Sequence, residues 1–203
     1  KLRIAELTAA SDPSYIPNIE ALRCAQPPDL GAAEISVRLG ATWIPADDVR
    51  EFVLHLLDPP YWVREQVAVR YSAATAQWRI EGKGRDGSNV RALSTYGTRR
   101  MSAYHIIEET LNLKDARVVD YVEDENGKKK PVLNKKETAV ALAKQEAIKA
   151  AFKEWVFSDQ ARRERLVAAY NERFNAIRPR EFDGSHLAFP GMNPEIELRP
   201  HQR

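Results

Sequence analysis

Cysteine is almost missing from this chain: Cys24 is the only one in 203 residues. One thiol excludes an internal disulfide framework and a cysteine-rich zinc site, and it fits a reducing, cytoplasmic setting. Long apolar runs are missing too. No stretch reaches the roughly 18 apolar residues of a membrane helix, so no membrane partner is expected. Lys1-Leu2-Arg3 leads into a short mixed helix rather than the apolar core of a signal peptide. Neither sign of charge dominates, with 31 basic residues against 29 acidic ones and a formal net charge of +2. Any contact with DNA must therefore come from a local patch, not from an overall field. The four histidines, His55, His105, His186 and His201, lack metal-ligand spacing. No Ser/His/Asp set, carboxylate pair or phosphate-binding P-loop assembles, so no catalytic residue, metal or cofactor is expected within this stretch. The chain starts without methionine and stops at Pro200-His201-Gln202-Arg203 without a tapering tail, which reads as a segment of something longer.

What is present is the composition of a folded chain, 43% hydrophobic and 30% charged, with length for one domain or two small ones. The pattern predicts an α+β fold: a small antiparallel sheet with packed helices, then a long helical pair and an irregular C-terminal segment. Residues 1–30 read as short helices, with Ile16, Ile19, Leu22 and Arg23 at helical spacing and Pro27-Pro28 as the stop. Residues 31–133 read as an α+β domain. Ile35 to Leu39 alternates like a strand. Pro45 opens a helix that turns Val49, Phe52, Val53, Leu56 and Leu57 inward and ends at Asp58-Pro59-Pro60. A three-stranded meander follows, with Val67, Val69 and Tyr71 on the first strand, Trp78 and Ile80 on the second, and Val90 to Ala92 on the third. Thr98 is expected to cap a helix near Ser102 to Leu111. Asn126-Gly127 predicts a hairpin over 117–133 in which Glu125, Asp124 and Glu123 face Lys128, Lys129 and Lys130. Residues 134–177 read as the helical pair: Asn134 caps, with Glu137 three residues on. Val140, Ala147, Ile148, Ala151, Phe152, Trp155 and Val156 form its expected apolar stripe. Residues 178–203 read as an irregular linker.

Two motifs imitate active sites. Asp58-Pro59-Pro60-Tyr61 spells the short motif of amino-group DNA methyltransferases, where the aromatic stacks on a flipped base. It follows a helix rather than a parallel strand, and no donor-binding Gly-rich loop accompanies it, so a helix stop is expected. Gly82-Lys83-Gly84-Arg85-Asp86-Gly87 matches the spelling of a dinucleotide loop, but such a loop must open a helix whose N-terminus holds the pyrophosphate. Arginines offer a better patch. Arg99 and Arg100 precede a helix, and from Gln160 onward every basic residue is arginine, the side chain best suited to bidentate phosphate contact. Arg99, Arg100, Arg162, Arg163, Arg178 and Arg180 are the candidate phosphate contacts. Neighbouring acids leave open that these arginines form intrachain ion pairs.

The C-terminal Leu198-Arg199-Pro200-His201-Gln202 resembles the opening element of superfamily-two helicases, in which a glutamine reads the adenine edge of ATP. That role falls on Gln202. Tyr96-Gly97-Thr98-Arg99-Arg100, Tyr121 to Lys130, Leu133 to Thr138, Tyr170 to Asn175, Ile177 to His186 and Gly191 to Ile196 resemble the large methylase–helicase fusion proteins of bacterial mobile elements and phages. The resemblance runs from about Ser11 to Arg203. It implies a segment without catalytic groups, just upstream of a helicase motor, that couples an adenine-specific DNA methyltransferase module to that motor. The parent would then use ATP and Mg at the motor and S-adenosylmethionine at the methylase. Partners implied are DNA and the flanking domains of the same chain. A spacer that touches only protein is the alternative.

Overall fold

The computed structural model describes residues 2–123, 129–175, Pro190, Gly191 and Asn193. It divides into two compact units: residues 30–170, and residues 1–29 together with 171–203. Arg178, Arg180, Gln202 and the Asn126-Gly127 turn lie outside the described residues.

In the smaller unit, α1 (Leu2–Ser11) and α2 (Ile16–Ala25) are joined by a single 3₁₀ turn, Pro13–Tyr15. Asp12 caps that turn by accepting from the Ser14 amide. None of the side chains described between residues 4 and 29 is fully buried. Cys24 is exposed on α2, as expected of an ordinary helix residue.

The larger unit carries the core. Its central helix, α3 (Ala46–Leu57), buries Val49, Phe52, Val53, Leu56 and Leu57, the stripe predicted from their spacing. Asp58 ends it in the left-handed region at φ 44°, and its N–H still donates to Leu54 O. One short turn of helix, α4 (Tyr61–Arg64), follows. Strands β1 (Ala68–Ser72) and β2 (Gln77–Glu81) pair antiparallel, Val69 opposite Ile80 and Tyr71 opposite Trp78. That register gathers the apolar side chains on the face that meets the core.

The expected third strand is not there. Arg91–Thr95 forms a π-helical turn instead, closed by Tyr96 N–H to Arg91 O at 2.9 Å. Asn89 causes this: its Oδ1 accepts from the Arg91 and Ala92 amides and its Nδ2 donates to Leu57 O and Asp86. Such side-chain bonds to nearby backbone compete with a strand ladder. The turn then passes so close that a Cβ on Gly97 would lie 2.1 Å from Ala92 O. Without a third strand, β2 is completed by side chains of α5 (Ala103–Leu111) and its C-cap. Asn112 accepts from Trp78 N–H and donates to Trp78 O, while Glu108 accepts from Ile80 N–H. Ile35 to Leu39 keeps its alternation, with Ile35, Val37 and Leu39 buried, but pairs with no strand among the described residues.

Thr98 does not cap α5. The helix begins at Ala103, and the Thr98 hydroxyl instead accepts from the Met101 amide inside the preceding turn. The second hairpin joins β3 (Val119–Glu123) and β4 (Lys129–Leu133). Its register is one residue from that expected, with Glu123 opposite Lys129 rather than Lys130. The reason lies at the base of the hairpin. Asn134 N–H donates to Val118 O and Asn134 Nδ2 to Asp120, which fixes where β4 meets β3.

Asn134 also caps α6 (Lys135–Val156), its Oδ1 accepting from the Glu137 amide. Val140 and Ala147 face solvent, contrary to the expected stripe. The inward positions are Thr138, Ala141, Gln145, Ile148, Phe152 and Val156. The two polar ones are satisfied. Gln145 accepts from Ala116 N–H and donates to Thr110 and Lys114 O, and the Thr138 hydroxyl accepts from Val118 N–H. Buried amide and hydroxyl groups with full partners fix position at little cost. After Phe157 to Asp159 comes α7 (Gln160–Phe174), in which Leu166 is buried. Helix α6 and α7 as far as Tyr170 contribute to the core of residues 30–170.

Candidate nucleic-acid interface

The four described arginine candidates differ in what they are free to do. Arg162 is 9% exposed. Its Nε donates to Val156 O and its Nη2 to Trp155 O and Ser158, closing off the C-terminal carbonyls of α6. Its guanidinium lies 3.5 Å over the Trp155 ring, and Nη1 is 3.6 Å from Glu51. A group held on so many sides orders the α6–α7 corner and is not available to a phosphate. Arg163 donates to Phe157 O at 3.3 Å. Arg100 braces the second hairpin, with Nη1 2.8 Å from Asp120 and Nη2 bonded to Val119 O. Donation by Asn134, and then by Arg100, holds the Asp120 carboxyl below the usual range. Arg99 alone of the four is exposed with no hydrogen-bond or ion-pair partner among the described residues.

Neighbouring arginines show the same internal commitment. Arg165 grips buried Asp48 with both nitrogens, at 2.6 and 2.9 Å. Arg50 donates to Val67 O and Arg64 O, and Arg64 donates to Pro59 O and pairs with Asp58. The methyltransferase-like motif is thus a helix stop whose carboxylate holds an arginine. Its aromatic is half of an exposed edge-to-face pair, Tyr61 and Trp62, with centroids 5.2 Å apart. In the glycine-rich stretch, only Gly82 is demanded by the backbone. It has φ 76°, and a Cβ there would meet Gln66 O at 2.3 Å. Gly84 and Gly87 face open space, and the chain enters a short 3₁₀ turn, Lys83–Arg85. Lys83 pairs with Glu108 at 2.7 Å. Burial pushes the Glu108 carboxyl up, but donation by Lys83 and by the Ile80 amide brings it below its ordinary value.

Two of the grooves in the larger unit gather several charged side chains. One, about 1020 Å³, lies between α3, the π-turn and the C-terminal end of α6. It carries Arg91 and His55 with the carboxylates Glu51, Glu154 and Asp159, so its charge is mixed. The other, about 410 Å³, runs along α6 beside the segment after α5. Arg38, Lys114, Lys149 and Lys153 line it, against Asp115 and Glu146. Sequence reading missed this cluster because its members come from three separate segments. A helical-wheel view of α6 does place Lys149 and Lys153 one turn apart.

The architecture defines an α+β module in which helices pack on one antiparallel hairpin while a second hairpin stands exposed. The family model described as "Domain of unknown function (DUF8437)" matches residues 38–176, and the chain belongs to that family. No curated protein and no solved structure matches it.

Proposed function

We propose that this chain is a connector within a large bacterial DNA methylase–helicase protein, holding a DNA methyltransferase module and an ATP-dependent superfamily-two motor in register by docking on flanking protein. One observation carries the docking part. Among the described residues, no side chain of β3 or β4 is fully buried: Tyr121 is 67% exposed, and Val119, Val122, Val132 and Leu133 are exposed with it. A two-stranded hairpin that buries nothing is marginal in water, so a covering partner is the physical expectation. The internal pairing of Arg100, Arg162 and Arg165 favours a protein-facing role for these segments over phosphate contact. The resemblance of motifs between Tyr96 and Gln202 to methylase–helicase proteins supports this identity for the neighbours.

Photo-crosslinking tests this in the intact parent polypeptide, with a benzophenone amino acid at Tyr121. Crosslinks from residue 121 to a flanking module of the same polypeptide are expected, mapped by mass spectrometry. Crosslinks confined to residues 30–170, or none, would remove the docking role.

A further inference from the structure

We infer that the groove along α6 is a binding site for the phosphate backbone of duplex nucleic acid, at a surface none of the arginine-rich segments supplies. Its four cations are Arg38, from the extended segment before α3, Lys114, just after α5, and Lys149 and Lys153 on α6. Lys149 is paired with Glu146 at 2.8 Å. Arg38, Lys114 and Lys153 have no acidic partner among the described residues, and Asp115 is the one carboxylate of the lining without a cation. Lys114 also lines the adjoining recess, which adds Arg117 and Glu109. Arg165 and Arg100, by contrast, are neutralised in place by Asp48 and Asp120.

The floor of the groove is rigid. Gln145 lines it, is 1% exposed, and ties α6 to Thr110, Lys114 O and Ala116 N–H. Two of the cations thus stand on a helix fixed to the segment that carries a third, so little ordering cost accompanies binding. The lining is without aromatic rings. Proteins that hold single strands add stacking platforms to a basic groove. A groove of cations alone reads charge and spacing, the sequence-independent part of duplex recognition.

The test is fluorescence anisotropy of the 203-residue chain with a labelled duplex of arbitrary sequence, from 50 to 200 mM salt. Three to four neutralised phosphates give a slope of log K against log salt between roughly −2.7 and −3.6, an affinity loss of about 40- to 150-fold across that range. Lys114→Gln with Lys153→Gln removes about two from the magnitude of the slope, and Lys114→Arg with Lys153→Arg keeps it. Arg91→Gln, in the other groove, leaves the slope unchanged. Thermal melts by circular dichroism confirm that each variant is folded. Absence of binding at 50 mM overturns the inference, as does a slope indifferent to the Lys114/Lys153 pair. Tighter binding of a single strand of equal length, or of polyglutamate, overturns the duplex assignment. This site stands apart from hairpin docking, so failure of the crosslinking experiment leaves it intact.

Discussion

The two hairpins have strands of the same length, five residues, and opposite situations. In β1–β2 the burial alternates along β2, with Trp78 and Ile80 inward and their neighbours outward. The free edge of β2 is closed by Asn112 and Glu108. In β3–β4 no strand residue is fully buried. Its base is clamped by Arg100, Asp120 and Asn134, and its strands are joined by their cross-strand pairs. The difference shows that strand propensity does not decide what a hairpin is for. Both sequences favour strands, but one is anchored to a core on one face and one edge. The other presents the same kind of apolar side chain to whatever approaches.

The sharpest way to break this comparison is to truncate matched residues. Ile80→Ala removes a side chain that is 1% exposed, and a loss of about 2–5 kcal/mol is expected. Tyr121→Ala is expected to change stability by no more than about 0.5 kcal/mol. Urea denaturation of both variants, followed by circular dichroism, checks the pair. Equal losses would mean that the second hairpin is also held by a core. Asn112→Ala comes next. It leaves Trp78 N–H and Trp78 O without their side-chain partner, at a cost of about 1–3 kcal/mol. Hydrogen exchange at the Trp78 amide should accelerate, while that of amides within β3–β4 stays as it was.

The same contrast marks what the sequence made legible. Helix α3, the Asn134 cap and the alternation of Val69, Trp78 and Ile80 were readable because each is local: period, cap residue and turn lie within a dozen positions. The third strand was misread because Val90 to Ala92 has strand composition, while Asn89, one residue earlier, captures the Arg91 and Ala92 amides. The inward face of α6 was misread for the opposite reason. Gln145 and Thr138 look like solvent residues, and only the distant backbone at 114–118 turns them inward. Of the basic groove, only the one-turn spacing of Lys149 and Lys153 was legible. Runs such as Lys128 to Lys130 and Arg162-Arg163 attract attention along the chain, whereas Arg38, Lys114 and Lys153 meet only in the folded unit.

Acid sharpens the difference between the two edges of β1–β2. Glu108 is the acceptor for Ile80 N–H and Lys83, and its carboxyl titrates below its ordinary value in the folded chain. A carboxyl depressed on folding contributes stability that is present above its unfolded value, about 4.3. That contribution is lost as pH falls through the lower, folded value. Wild type should therefore lose stability below about pH 4.3 more steeply than Glu108→Gln. Melting temperatures of the two proteins from pH 6 to pH 3 measure this, and parallel curves would show that Glu108 carries no such linkage.

The smallest effect on stability comes from Pro131, and it bears on why β3–β4 is safe while uncovered. Pro131 lies opposite Tyr121. Proline has no N–H, so this is a non-hydrogen-bonded pair, and residue 131 turns its missing donor toward the outer edge of β4. A gap there discourages a foreign strand from continuing the sheet on that side. Pro131→Thr restores the donor without disturbing the pairing with β3. The folded chain should keep its stability to within about 0.5 kcal/mol. Self-association should rise with concentration in sedimentation velocity, and Tyr121→Ala in the same background should reduce it by removing an exposed ring from the new contact. A monomer at every concentration would mean that the proline has no protective role, and that the clamp at Arg100, Asp120 and Asn134 alone keeps the hairpin from pairing.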